Sequence, residues 1–217
     1  AADAMDMTRG DTWELQGLRK VFGPVVANGD ISLTLAAHQI HGLVGENGSG
    51  KSTLIKILSG AHQPDAGAIL RNGVPVRLAD PHAARDAGIA TVFQEFSLVP
   101  SLGVAENIYL GRLPMRRGQV DWRSLGSAAA AILADMNVAI EVDATVEHLS
   151  VAEQQLVEIA KALAADADLI ILDEPTTALG AGEIARLHDL LRRLFERGRA
   201  LLYVSHRLEE VVELVEC

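Results

Sequence analysis

Residues 45–53 read Gly45-Glu46-Asn47-Gly48-Ser49-Gly50-Lys51-Ser52-Thr53. Gly45, Gly50, Lys51 and Ser52 meet the spacing G-x-x-x-x-G-K-[ST]. The run IHGLVG precedes them as a buried strand, and STLIKILSG follows with Leu54, Ile55, Ile57 and Leu58 at helical spacing and Gly60 as its C-terminal cap. A strand that runs into a glycine-rich turn and then a helix is the setting in which this pattern holds a nucleotide phosphate. The glycines let the backbone wrap the anion, so that N–H groups and the helix N-terminus face its charge. In that arrangement Gly45, Asn47, Gly48, Ser49, Gly50 and Thr53 line the cradle. Lys51 bridges the β- and γ-phosphates, and Ser52 ligates Mg²⁺.

Composition bounds what such a loop serves. The chain has 217 residues, 49% of them hydrophobic and 22% charged, which fits one nucleotide-binding domain with a subdomain and excludes disorder. Nineteen basic residues against 29 acidic give a net charge of -10, which disfavours nucleic acid and anionic surfaces as partners. The single cysteine, Cys217, cannot close an internal disulfide and fits a reducing compartment. No apolar run reaches membrane-spanning length, and residues 1–10 read as a flexible lead-in without a signal-peptide core. A soluble, cytoplasmic chain is expected, reaching a membrane only through a partner.

Strands and helices alternate along most of the sequence. TWELQGL and DISLTL are strand-like, divided by the turn-prone FGP and NGD. AILRNG is a strand ending in a turn. DPHAARDAG is a short helix with Asp80 as its cap and Pro81 at its first position, and GIATVFQ is another strand. From 94 to 163 strand alternation disappears: VAENIYLGR, SLGSAAAAILADM and EQQLVEIAKALAAD read as helices, the last striped by Leu156, Ile159, Ala160 and Leu163. The strand DLIILDE, a helix over about 182–197 striped by Ile184, Leu187, Leu191 and Leu194, and the strand ALLYVSH follow. The order predicts an α/β fold, a P-loop NTPase core with a mostly parallel sheet flanked by helices. Residues 11–93 and 164–217 form this core with an N-terminal antiparallel β subdomain, and 94–163 form a helical insertion.

The apolar run 169–172 ends in Asp173 and Glu174, with Pro175 stopping the strand. On a strand adjacent to the phosphate loop, Asp173 would reach the Mg²⁺ shell through water, and Glu174 the water that attacks the γ-phosphate. Just before it lies LSVAEQQLVEIAKAL, residues 149–163. This order resembles the ATP-binding cassette family, whose signature segment occupies that place. The resemblance covers nearly the whole chain and includes Phe22 in KVFG, Gln94 in VFQEFSLVP, LDEPTTAL, and His206 in YVSH. Within the family, GENGSGKST, AENIYLGR and QQLVEIAKAL look most like the ATPases of carbohydrate importers, which carry two cassettes in tandem. The chain looks like the first of the pair, cut off soon after His206.

The resemblance implies roles residue by residue. Phe22 stacks on adenine. Gln94 ligates Mg²⁺ or orders the lytic water and relays the nucleotide state, and His206 bonds the γ-phosphate and holds Glu174. Ser150 is the signature hydroxyl, serving a phosphate in an opposing cassette. It implies ATP and Mg²⁺ as cofactors, catalysis by Glu174, His206, Gln94 and Lys51, and metal contacts from Ser52, Gln94 and Asp173. The implied partners are a second cassette, transmembrane permease subunits and, indirectly, a solute-binding protein, with no nucleic acid. The chain would sit peripherally on the inner face of the cell membrane. Two departures bear on this. Val151 and Ala152 stand where two glycines are usual, with Glu153 in place of Gln, so side chains crowd the signature backbone and add charge. Gly180 replaces an aspartate that crosses the dimer interface.

Other features have plainer readings. Glu209, Glu210, Glu213 and Glu216 alternate with Leu208, Val211, Val212 and Val215, an amphipathic helix with a solvated acidic face, and truncation leaves Val211, Val212 or Val215 uncovered. Trp13 and Trp122 read as packing residues. His62, His82, His148 and His188 show no metal-ligand spacing. A soluble cassette ATPase acting outside transport, and a non-hydrolysing regulatory cassette, stay open as alternatives.

Overall fold

The computed structural model describes residues 11–46 and 48–215. They group into two compact units, 11–46 and 48–91 with 167–174 and 191–215, and 92–166 with 175–190.

In the first unit β1 (Thr12–Phe22), β2 (Val25–Ala36), β4 (Ala66–Arg71) and β5 (Val74–Pro75) make an antiparallel sheet in the order β2-β1-β4-β5. Trp13, Leu15, Leu18 and Leu35 are buried on it. FGP forms the turn between β1 and β2, as the sequence implies. The Asn28-Gly29-Asp30 run is no turn: it lies inside β2, where the ladder shifts register between Leu18 and Lys20. Asp30 there takes φ 62 and Gly17, on β1, φ 60, so residues suited to left-handed backbone serve a bulge instead.

A second sheet has the order β3-β10-β9-β6, with β3 (Gln39–Val44), β10 (Ala200–Ser205) and β9 (Leu169–Asp173) parallel and β6 (Ile89–Val92) outermost. Contrary to the sequence expectation, the acidic strand does not adjoin the strand that leads into the phosphate loop: β10 lies between β9 and β3. β10, ALLYVS, is buried along its whole length and takes a central place, whereas β3 carries exposed positions and takes an edge. Val204 pairs with both Leu43 and Asp173, so the acidic end stands level with the end of β3, two strand spacings or about 10 Å away.

α1 (Lys51–Leu58) ends at Ser59 with Gly60 left-handed beyond it, φ 76. α2 (Pro81–Asp86) starts on Asp80, whose carboxylate accepts from the Ala83 N–H at 2.9 Å. α7 (Leu208–Val215) packs on β10 and β3 so closely that a Cβ on Gly42 would lie 2.3 Å from Val211 Cγ1. Of the three valines, Val211 is therefore buried while Val212 is exposed; the Val215 side chain and Glu216 lie outside the described residues. Nor is the acidic face all solvated. Glu210 is buried and accepts from Ser205 Oγ at 3.1 Å and Arg207 Nη1 at 2.7 Å.

The second unit packs α3 (Val104–Ile108), α4 (Trp122–Asp135) and α5 (Val151–Leu163) around Val104, Ile108, Leu125, Ala129, Leu133 and Val157. It also holds a two-stranded hairpin, β7 (Met115–Arg116) with β8 (Gln119–Val120), inside the block read as wholly helical. Two residues per strand are too short for alternation to show. α6 (Ala181–Glu196) begins in this unit and ends in the first, with Leu187, Leu190, Leu191 and Leu194 buried.

Candidate active site

β3 delivers the chain into the loop 45–50, and α1 opens at Lys51 with Gly50 as its N-cap at φ 94. Glycine is required there twice over: the left-handed φ, and a backbone approach that would put a Cβ 2.3 Å from the Ala27 carbonyl oxygen. Gly48 is also left-handed, φ 84, and Ser49 N–H donates to the Glu46 carbonyl at 3.2 Å. Asn47 lies outside the described residues. Lys51 is only 9% exposed; its Nζ donates to the carbonyls of Gly45 and of Glu46, the latter at 2.9 Å. Ser52 is exposed and Thr53 half-buried on the first turn.

Asp173 ends β9. Burial, and then the Glu174 charge, push its carboxyl up from the ordinary carboxylate value, while Lys51 and Lys56 pull it down. The Lys51 amine therefore acts electrostatically on the acid at the end of a different strand. Glu174 follows in a left-handed conformation, φ 49, its N–H donating to the Val204 carbonyl at 2.9 Å. A non-glycine residue held there stores strain of about 1–2 kcal/mol, the kind of cost retained at functional positions. His206, just beyond β10, places Nδ1 3.2 Å from Glu174 Oε1. The phosphate loop, Lys51, Asp173, Glu174 and His206 thus belong to one compact unit, at the C-terminal ends of β3, β9 and β10, where ligands of open α/β sheets bind. Among the described residues no three His, Cys, Asp or Glu side chains cluster as a metal cage.

Phe22, at the end of β1, is 44% exposed, its ring edge-on to His62 at 5.4 Å and 5.5 Å from Lys20 Nζ. Gln94 and Ser150 belong to the other unit, and both are exposed. Ser150 caps α5. Its N–H and Oγ–H donate to Glu153 Oε2 at 2.8 and 2.7 Å, and Glu153 N–H donates to Ser150 Oγ at 3.3 Å. These bonds hold the Glu153 carboxyl below its ordinary value, so a residue read as an intruding charge is half of a capping box.

Two supports went unread in the sequence. Asn28, buried on β2, donates Nδ2 to the Gly50 carbonyl at 3.1 Å and props the loop from the antiparallel sheet. Glu158, buried on α5, accepts the Ser97 N–H, while Lys161 Nζ donates to Ser97 Oγ at 2.7 Å and to its carbonyl at 3.1 Å, three residues past Gln94. A glutamate amid Val157, Ile159 and Ala160 was the one available sign.

The family described as ABC transporter matches residues 29–177. The chain belongs to that family. It is 48% identical over 203 residues to the ribose import ATP-binding protein RbsA 2 of Streptomyces avermitilis, covering 93% of this chain and 40% of that protein. It is 47% identical over 202 residues to the arabinose import ATP-binding protein AraG of Azospirillum brasilense, covering 93% of this chain and 39% of that one. The chain thus spans about 40% of the length of the curated relatives it matches. Among solved structures, a nucleotide-free ATP-binding cassette from an ABC transporter superposes with TM-score 0.81 at 24% identity, over 94% of this chain and 85% of that one. A dimeric bacterial ABC transporter cassette superposes with TM-score 0.80 at 26% identity, over 91% and 89%.

Proposed function

We propose that this chain is the ATP-binding and ATP-hydrolysing cassette of a membrane importer for a sugar or related small solute. The observation that carries the reading is the gathering of Lys51, Asp173 and the Glu174–His206 pair at one end of one sheet, beside a glycine loop built for phosphate. Lys51 exchanges the loop carbonyls for the β- and γ-phosphates. Glu174 orients the attacking water and accepts its proton as the new bond to the γ-phosphorus forms and the bridging bond to ADP breaks. His206 holds Glu174 in place and bonds the γ-phosphate. Phe22, exposed at the end of β1, stacks on the adenine.

Ser52 and Asp173 suit Mg²⁺, which prefers one or two protein oxygens, waters and substrate phosphates to an all-protein cage. When bound, the ion neutralises charge on the phosphates. Gln94 would offer the ion a further oxygen and pass the nucleotide state to its own unit, where Glu158 and Lys161 grip its loop at Ser97. Ser150 faces the nucleotide of a second cassette. Transmembrane permease subunits, and through them a solute-binding protein, complete the machine at the inner face of the cell membrane. The likeness to ribose and arabinose import proteins supports the solute class, and among the described residues no helix is long and apolar enough to cross a membrane.

The test is Mg²⁺-dependent ATP hydrolysis by purified Glu174→Gln beside the unaltered chain. Turnover is expected to fall about 100-fold or more with ATP affinity retained, and unchanged turnover overturns the assignment.

A further inference from the structure

The chain's net charge is -10, yet residues 107–134 hold four arginines, Arg112, Arg116, Arg117 and Arg123, and one acid, Asp121. The hairpin β7–β8 stands in this window. Met115 pairs with Val120 and Arg116 with Gln119, and the Asp121 N–H donates to the Pro114 carbonyl at 2.8 Å, closing the base. Its two-residue turn is Arg117 and Gly118, at φ 53 and 81, the left-handed pair of a type I′ turn. Asn or Asp usually fills the first position; an arginine there is strained and is kept where its side chain has a use. Arg112 is already engaged, donating to the Ala164 carbonyl at 2.6 Å. Asp121 is engaged too, capping α4 through the Ser124 N–H at 3.1 Å. Arg116, Arg117 and Arg123 are exposed, and none is paired with a carboxylate among the described residues. Beside them Met115 is 61% and Trp122 60% exposed, so Trp122 is not the packing residue it resembled in the sequence, whereas Trp13 is fully buried.

We propose that residues 114–123 form a contact with the surface of an anionic phospholipid bilayer, the arginines meeting headgroup phosphates and Trp122 with Met115 entering the interface. A stiff hairpin tip is too small to supply a stable protein–protein interface by itself, whereas lipid contacts accumulate one basic side chain at a time. Tryptophan favours the headgroup level of a membrane because one end of its ring is apolar and the other polar. Contact through this segment, with three arginines against one acid, uses its local charge rather than that of the acidic remainder of the chain. A nucleic acid lying along the protein would meet that remainder. The contact uses none of the nucleotide-site residues and goes beyond the import reading.

The chain's two tryptophans make the test specific, because Trp13 is sealed in the core and a fluorescence shift reports Trp122. Nucleotide-free chain is mixed with phosphatidylcholine vesicles, with and without about one third phosphatidylglycerol, at low and high salt. A blue shift and co-sedimentation are expected with the anionic vesicles at low salt only, and roughly tenfold weaker binding for Arg116→Glu/Arg117→Glu. Trp122→Phe should bind with the shift gone, and Arg116→Lys/Arg117→Lys should bind nearly as the parent. Absence of a shift, equal binding to zwitterionic vesicles, indifference to the charge reversal, or a response to an oligonucleotide or acidic peptide but not to vesicles overturns the proposal. ATP hydrolysis is measured separately, and the charge-reversed chain should retain it, so failure of either reading is distinguishable.

Discussion

Asp173 sits where its own charge is costly. Burial and the adjacent Glu174 raise its carboxyl, so the ionised group burdens the fold above that raised value and the burden lifts as pH falls through it. Asp173→Asn is therefore expected to raise the melting temperature of the nucleotide-free chain at neutral pH, by about 2–4 °C, while Mg²⁺-dependent hydrolysis is lost. Calorimetry paired with an activity assay checks both halves. A drop in melting temperature would mean that attraction to Lys51 outweighs burial. Glu174 carries a cost in its backbone too: it holds a left-handed φ of 49 where a glycine would be easier, with Oε1 3.2 Å from His206 Nδ1.

At the scale of elements, α5 joins two tasks. Its N-terminus is fixed by the Ser150–Glu153 capping box, and its second and third turns hold Ser97 through Glu158 and Lys161. Glu158→Gln replaces a charge-assisted bond by a neutral one and should destabilise the chain by about 1–2 kcal/mol, with faster hydrogen exchange at the Ser97 amide and little change at Ser150. Equal exchange at both positions would show that α5 does not carry the grip. The phosphate loop, the capped α1 and α2, and the acidic strand were legible in the sequence because each rests on local chemistry: glycines at fixed offsets, Asp80 before Pro81, an apolar run ending in Asp173. Strand order was not, since no local pattern says that β10 enters between β3 and β9. The buried Glu158 and Glu210 were illegible for a related reason, because a glutamate is read as solvated until its partner, distant or across a turn, is known. Trp122 misled in the opposite sense, since size alone does not say which side of a helix start faces solvent.

At the scale of the molecule, the ends of the first unit are tied by charge. Arg71 on β4 pairs with Asp11 at 2.7 Å and also with Asp168, and Arg199 reaches Asp168 at 3.2 Å, linking the antiparallel sheet to the strands β9 and β10. Arg71 holds the Asp11 carboxyl below the ordinary value of 3.8, so that contribution is present above 3.8 and lost as pH falls through the folded value. Burial raises Asp168 and works in the opposite sense, relieving the fold on acidification. Arg71→Ala is expected to cost about 1 kcal/mol at neutral pH and to flatten the loss of stability between about pH 5 and 3, as denaturant titrations across that range will read. A steeper acid loss in the variant would contradict it. A crystal structure of the Glu174→Gln chain with Mg-ATP will show whether one ATP is gripped by residues at the ends of three strands of this unit. Lys51 Nζ is expected to have withdrawn from the carbonyls of Gly45 and Glu46 onto the β- and γ-phosphates, with Asp173 facing the same triphosphate. A nucleotide bound elsewhere, with Lys51 still on those carbonyls, would contradict it.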